Sequence, residues 1–121
     1  MSAHLEPSND HDDLLVLRVT GELKKSEFDA VQAEFVRKIA GTGPARLLVL
    51  LENFTGWERS EGWGDTDFFF KHRNDILKIA VVGNPSWGAQ MLAFTGAGLR
   101  RAPVQMFPET GEAEARAWLA E

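Results

Sequence analysis

The segment Arg46–Leu51, with the sequence RLLVLL, decides the fold of this chain. Its apolar residues do not alternate with polar ones, so both faces of the segment are expected to be buried. Ile76–Val82 (ILKIAVV) has the same character, and Val104–Phe107 (VQMF) is a shorter third case. Short strands that are buried on both faces are typical of the central strands of a parallel sheet.

Helices are predicted between these strands. From Lys24 to Ala40, apolar residues recur at spacings of three and four, which places one apolar stripe on one face of a helix. Gly41 follows as a natural helix end. Further helices are predicted at Trp63–Arg73, Ser86–Thr95 and Gly111–Ala120.

Two strands are predicted before the first helix. Leu14–Val19 (LLVLRV) is short and aliphatic, and Ala3–Pro7 is a candidate edge strand that would form a hairpin with it. The element order is therefore (β)βαβαβαβα, which indicates an α/β fold. The length of 121 residues predicts a single domain over residues 1–121.

The composition excludes several classes of function. The chain has no cysteine, which removes disulfides and thiolate zinc sites, and its net charge of −5 argues against nucleic-acid binding. Apolar runs are all shorter than the ~20 residues of a membrane helix, so we expect no integral membrane protein. The polar, acidic start does not resemble a signal peptide, and we therefore expect a cytoplasmic location.

The charges are unevenly distributed. Between Phe68 and Pro108 the sequence has five basic residues and one acidic residue, a net +4, which leaves −9 for the rest of the chain. These are either unrelated surface charges or a local face that attracts anions.

The sequence holds little that supports catalysis. His72 is the one histidine inside a predicted helix, where Asp75 or Asp67 would orient it as a general base. Alternatively, His72 lies near the C-terminus of the helix, where a positive charge interacts favourably with the helix dipole. Phosphate loops, dinucleotide fingerprints and zinc-protease motifs are missing from the sequence, so we predict no cofactor and favour a non-enzymatic protein over a hydrolase or transferase.

The segment ENFTGWERSEGWGDTDFFFKHR, residues 52–73, holds two tryptophans and four phenylalanines. It follows a predicted central strand, and ligands commonly bind at the carboxyl ends of parallel strands. Its aromatic residues would either wall a pocket for an apolar or amphipathic ligand or fill the core. Met91 and Phe94 are assigned to the core. The predicted ligand-binding residues are Phe54, Trp57, Trp63 and Trp87, with Lys71, His72 or Arg73 as a polar anchor.

Six features carry a family resemblance over about Leu5 to Leu119. They are Phe54-x-Gly56-Trp57, Lys71-His72-Arg73, Ile79–Gly83, Trp87, Phe107 and Ala115–Leu119. Together they resemble the SpoIIAA-like family, which shares the STAS fold of sulfate transporters and anti-sigma factor antagonists. The resemblance implies a βα sandwich with a mixed four- to five-stranded sheet and about four helices, largely on one face. It also suggests similarity to the lipid-binding Sec14-type fold.

The resemblance raises a regulatory alternative. Anti-sigma factor antagonists carry an Asp-Ser pair whose serine is phosphorylated by a partner kinase. The corresponding segment here reads Glu58-Arg59-Ser60-Glu61, with a serine but without that pair. Ser60 is the candidate for a phosphorylation switch that changes a protein partner.

Three consecutive aromatic residues, Phe68-Phe69-Phe70, predict self-association. Successive helical residues are about 100° apart, so three rings span roughly 200°, which is wider than the usual buried stripe. An outward-facing ring would form an apolar patch, and we expect a homodimer through this helix. In the rival arrangement the aromatic loop covers that ring and the protein is a monomer.

Overall fold

A computed structural model describes residues 3–7, 13–59, 75–95 and 103–121. These residues form a single five-stranded sheet in the order β1-β2-β3-β4-β5. The strands are β1 (Ala3–Pro7), β2 (Leu14–Leu23), β3 (Ala45–Trp57), β4 (Ile76–Val82) and β5 (Val104–Phe107). The helices of the described residues are α1 (Lys25–Thr42), α2 (Gly88–Phe94) and α3 (Glu112–Ala120).

The sheet is mixed, as the family resemblance implied. β1 pairs antiparallel with β2, and the other neighbouring strands pair in parallel. β3 lies at the centre, where Val49 is opposite Leu17 of β2 and Val81 of β4. The unbroken apolar run of β3 is therefore explained by helices packed on both faces of the sheet.

The first face of the sheet carries the larger core. Helix α1 packs Phe28, Val31 and Phe35 against it, and α2 contributes Met91. Their partners on the sheet include Leu17, Val19, Leu47, Val49, Leu51, Ile79 and Val81. This packing buries the apolar stripe that the sequence predicts on one face of α1.

Helix α3 covers the second face. Ala115 and Leu119 are buried against a cluster that includes Leu48, Leu50, Ala80, Val82 and Phe107. The end of α3 is held by cations from the sheet: Arg46 donates to the carbonyl oxygen of Leu119 at 2.7 Å, and Lys78 Nζ donates to that of Trp118 at 2.9 Å. The helices are thus divided between two faces, whereas the resemblance implied that they lie largely on one.

The ends of α1 differ from the prediction. The helix continues through Gly41, and Gly43, with a φ of 83°, lies just beyond its last residue. Its first backbone N–H, that of Lys25, donates to a carboxylate oxygen of Glu58 at 3.0 Å. A residue just past the end of β3 therefore supplies the hydrogen-bond acceptor at the start of α1.

The helix predicted between β4 and β5 is present, with a different first turn. The predicted helix Ser86–Thr95 begins as a 3₁₀ turn over Pro85–Trp87 and continues as α2. The predicted helix Trp63–Arg73 lies outside the described residues. Among the helices that are described, none combines the length and apolar character needed to cross a membrane.

Candidate functional site

An irregularity in β3 positions two aromatic side chains at the carboxyl end of the strand. Thr20 is opposite Glu52 and Glu22 is opposite Gly56, so one residue of β2 faces three of β3. Asn53 adopts a φ of 52°, a left-handed conformation that asparagine tolerates. Bulges of this kind re-aim side chains and are frequent beside functional sites.

The bulge brings Phe54 and Trp57 onto the face covered by α1 and α2. Phe54 is 9% exposed and belongs to that core, and the half-buried Trp57 packs against it. In a regular strand, residues three apart point to opposite faces. We predicted that Trp57 lies in a loop after the strand, but β3 continues to Trp57 itself.

Trp87 fixes the bulged segment from the neighbouring strand connection. Its indole Nε1 donates to the carbonyl oxygen of Phe54 at 3.1 Å. Its ring also lies over Gly56, where an added Cβ would be 3.2 Å from Cη2 of Trp87. Because Gly56 has a φ of 113°, a side chain there would be strained as well as crowded.

Four aromatic rings form one cluster, consisting of Phe54, Trp57, Trp87 and Phe94. The centroid of the Trp57 ring lies 5.1 Å from that of Phe54, 6.0 Å from Trp87 and 5.4 Å from Phe94. All three contacts are edge-on, which is the favoured geometry for aromatic pairs. The Trp57 Nε1 atom is buried, and no described residue accepts a hydrogen bond from it.

An open groove of about 460 Å³ lies beside this cluster, and from here on it is called the Trp57 groove. Its described lining residues are Trp57, Gln90, Ala93 and Phe94. Gln90 is the only one of these four with a polar side-chain amide, and none is charged. The volume falls within the range typical of small-molecule sites, and the lining is of the mainly apolar kind that such sites have.

A second depression, of about 250 Å³, lies between β1 and α1. Its rim includes Glu34 and Arg37, which form an ion pair with each other. No aromatic residue belongs to the described lining, which comprises Ala3, His4, Leu5, Glu27, Ala30, Val31, Glu34 and Arg37. The Trp57 groove is therefore the stronger candidate site.

The second face of the sheet carries a charged cluster that is separate from the groove. Arg18 donates hydrogen bonds to the carboxylates of Glu52 and Glu6, and His4 is bonded to Glu6 at 3.1 Å. Burial raises the pKa of Glu6, but the hydrogen bonds from Arg18 and His4 outweigh this effect and hold the pKa below its usual value. The hydrogen bond to Glu52 raises the pKa of Arg18.

The described residues offer little for anion or metal binding. Lys78, one of the five cations in the positively charged segment, donates to backbone carbonyls at the end of α3 and lies 4.8 Å from the centroid of the Trp118 ring. Its role is therefore structural. No group of three or more histidine and carboxylate side chains in the described ranges is placed to hold a metal ion.

The structure brings together three of the predicted ligand-binding residues, Phe54, Trp57 and Trp87. The other four, Trp63, Lys71, His72 and Arg73, lie outside the described residues, as do Ser60 and the stretch Phe68–Phe70. The regulatory switch and the homodimer therefore stay predictions. Pull-downs with Ser60→Ala and Ser60→Asp variants would test the first, and light scattering would test the second.

Sequence reasoning did not place two residues in the groove. Phe94 was assigned to the core; it does pack against the core, but it is half-buried and also lines the groove. Gln90 was not considered. The available signal was the run from Ile79 to Leu99, which contains no charged residue although α2 within it lies at the surface.

The fold and the groove define a small α/β domain with one mixed sheet, helices on both faces and an aromatic site at the carboxyl ends of its central strands. A family model described as SpoIIAA-like matches residues 14–120, and the chain belongs to that family. The resemblance seen in the sequence is thereby confirmed.

A solved structure supports the fold. An uncharacterized protein of the DUF3478 family from Shewanella loihica PV-4, with a SpoIIAA-like fold, superposes with a TM-score of 0.70 at 18% sequence identity. The match covers 97% of this chain and 91% of that one. No curated protein matches the sequence closely enough to count as a relative.

Proposed function

We propose that this protein is a non-enzymatic binding module that takes an apolar or amphipathic small molecule in the Trp57 groove. The observation that carries the proposal is the bulge of β3, which turns both Phe54 and Trp57 to one face beside an open groove. A regular strand could fill the core without the irregular backbone angles of the bulge, so core packing alone does not explain the bulge. Bulges next to functional sites commonly serve to aim a side chain.

The fixed position of Trp57 also supports binding. Trp57 packs edge-on against Trp87, which is held by its hydrogen bond to Phe54 and by the close approach of its ring to Gly56. A side chain that is already ordered loses little conformational entropy when a ligand arrives, and this improves affinity. The four described lining residues carry no charge, which favours a ligand whose buried part is apolar.

The test is ligand binding by the native protein and by two arginine variants of α2. Ala93 lines the groove, whereas Ala89 is exposed on the same helix and is not among the described lining residues. Tryptophan fluorescence is measured against a panel of fatty acids, fatty alcohols and phospholipid vesicles. Native mass spectrometry of freshly purified protein detects any ligand that co-purifies.

We expect binding by the native protein and by Ala89→Arg, and at least a tenfold loss in Ala93→Arg, because a charged side chain in the groove must be desolvated by an apolar ligand. An absence of fluorescence change across the whole panel, together with no co-purifying ligand, would contradict the proposal. Equal binding by both arginine variants would place the site elsewhere.

A further inference from the structure

A small apolar void lies directly beneath the Trp57 groove, between the sheet and α2. It measures about 10 Å³, close to the smallest size that admits one water molecule. Its lining combines side chains of β2 and β3 with the end of α2. The lining residues are Leu17, Val19, Leu23, Val49, Leu51, Phe54, Met91, Phe94 and Thr95.

The described lining of the void offers no unpaired polar side chain to a water molecule. Among these residues Thr95 alone has a polar side chain, and its hydroxyl donates to the carbonyl oxygens of Met91 and Leu92 at 3.0 and 3.2 Å. A water molecule in a cavity needs two to four polar partners, so an apolar void of this kind is expected to be dry. Filling it with carbon atoms would gain packing contacts that the native core lacks.

Phe94 belongs to the lining of both the groove and the void. The ring centroid lies 5.1 Å from that of Phe28 on the core side and 5.4 Å from that of Trp57 on the groove side. Phe94 is half-buried and is the last residue of α2, which has only seven residues. Helices this short depend on tertiary packing, so the end of α2 is a place where a side chain can be displaced.

We infer that Phe94 is a gate, and that the ligand of the Trp57 groove carries an unbranched aliphatic chain whose end enters the void when the ring turns aside. This inference rests on the proposed function. A displaced phenyl ring adds its own volume to the void, and the described side chains around both spaces are mostly apolar. An aliphatic chain matches that chemistry and is slim enough to enter where a single side chain has moved, whereas a fused ring system is wider.

The test uses a series of straight-chain alcohols from hexanol to dodecanol, with isothermal titration calorimetry on the native protein. Each methylene that leaves water is expected to raise the affinity about fourfold. Val49→Ile adds a methylene to the lining of the void without touching the described lining of the groove. In this variant we expect hexanol binding to be unchanged and dodecanol binding to fall at least tenfold.

Val16→Ile is the matched control, since Val16 is a buried valine on the other face of the same sheet. It should bind the whole series as the native protein does. Phe94→Leu gives a second measurement that does not depend on the folding of Val49→Ile. A smaller gate should raise the affinities for decanol and dodecanol at least threefold relative to the affinity of the same variant for hexanol.

The outcomes separate the two proposals. Identical chain-length profiles in the native protein, Val49→Ile and Phe94→Leu would overturn the gate and leave the groove as the binding site. Failure of the native protein to bind any alcohol would contradict the proposed function itself. Phosphatidylcholine vesicles and free decanoic acid, titrated in parallel, tell whether the chain belongs to a membrane lipid or to a free fatty acid.

Discussion

The indole nitrogen of Trp87 lies 3.1 Å from the carbonyl oxygen of Phe54, and this hydrogen bond joins the turn after β4 to the bulged end of β3. The two residues are 33 positions apart in the sequence. The bond gives the carbonyl of Phe54 a donor at the irregular end of the strand, and it orients the ring that covers Gly56. The shape of the Trp57 groove therefore depends on it.

Replacing Trp87 by phenylalanine tests this bond directly. The variant keeps an aromatic ring but removes the N–H donor, so the carbonyl of Phe54 loses its partner. We expect a loss of about 1–2 kcal/mol in the free energy of unfolding, measured by urea denaturation. Gln90→Ala, at an exposed site in the adjacent helix, should change it by less than about 0.5 kcal/mol. Equal stabilities of the two variants would show that the bond is unimportant.

Gly56 should not tolerate alanine. Its φ of 113° is unfavourable for any residue with a side chain, and the new Cβ would lie 3.2 Å from the Trp87 ring. We expect a destabilisation of about 1–3 kcal/mol, seen as a lower melting temperature. Gly41→Ala provides the control, because Gly41 lies within α1 and has open space around its Cα. There the same substitution should stabilise the protein by about 0.5–1 kcal/mol.

The cation at the end of α3 should contribute measurably to stability. Lys78→Met keeps the aliphatic stem but removes the bonds to the carbonyls of Trp118 and Glu121 and the contact with the Trp118 ring. We expect a loss of about 1–3 kcal/mol in unfolding free energy. Arg37→Met, which removes a largely exposed ion pair on α1, should have a much smaller effect because solvent screens that pair. The prediction is wrong if both substitutions have the same small effect.

Acid should weaken the cluster around Arg18. The pKa of Glu6 is lower in the folded protein than its usual value of 4.5, so its ionised form stabilises the fold fully above that value. The stabilisation is lost as the pH falls through the lowered pKa. Because the Glu6 side chain is 38% exposed, we expect less than about 1 kcal/mol.

A comparison with Glu6→Gln isolates this contribution. Urea denaturation at pH 7 should find the native protein more stable than the variant, and at pH 3 the difference should shrink. A difference that stays constant between these two pH values would show that Glu6 is not responsible for the pH dependence.

Strands with strong apolar character were predictable from the sequence. β1, β4 and β5 have the predicted bounds Ala3–Pro7, Ile76–Val82 and Val104–Phe107. The full length of β3 was not, because its unbroken apolar run ends at Leu51 and the bulged end that follows has no regular pattern. The start of α1 could not be predicted either, because the hydrogen-bond acceptor for its first N–H group, Glu58, is 33 residues away in the sequence.

The site was only partly predictable for a similar reason. The density of aromatic residues indicated that Phe54, Trp57 and Trp87 would meet, because they follow neighbouring parallel strands. The hydrogen bond of Trp87 and the exposure of Phe94 depend on backbone angles and helix ends that the spacing of residues does not determine.

Helix α3 has a consequence for biosynthesis. It covers the face of the sheet that includes Leu48, Leu50, Ala80 and Val82, yet its residues leave the ribosome after all five strands. A nascent chain that has completed the sheet therefore still presents this apolar face to solvent and to chaperones. The contacts of Arg46 and Lys78 with the last turn of α3 can form only after that turn has been synthesised, so the second face of the sheet is the last to be covered.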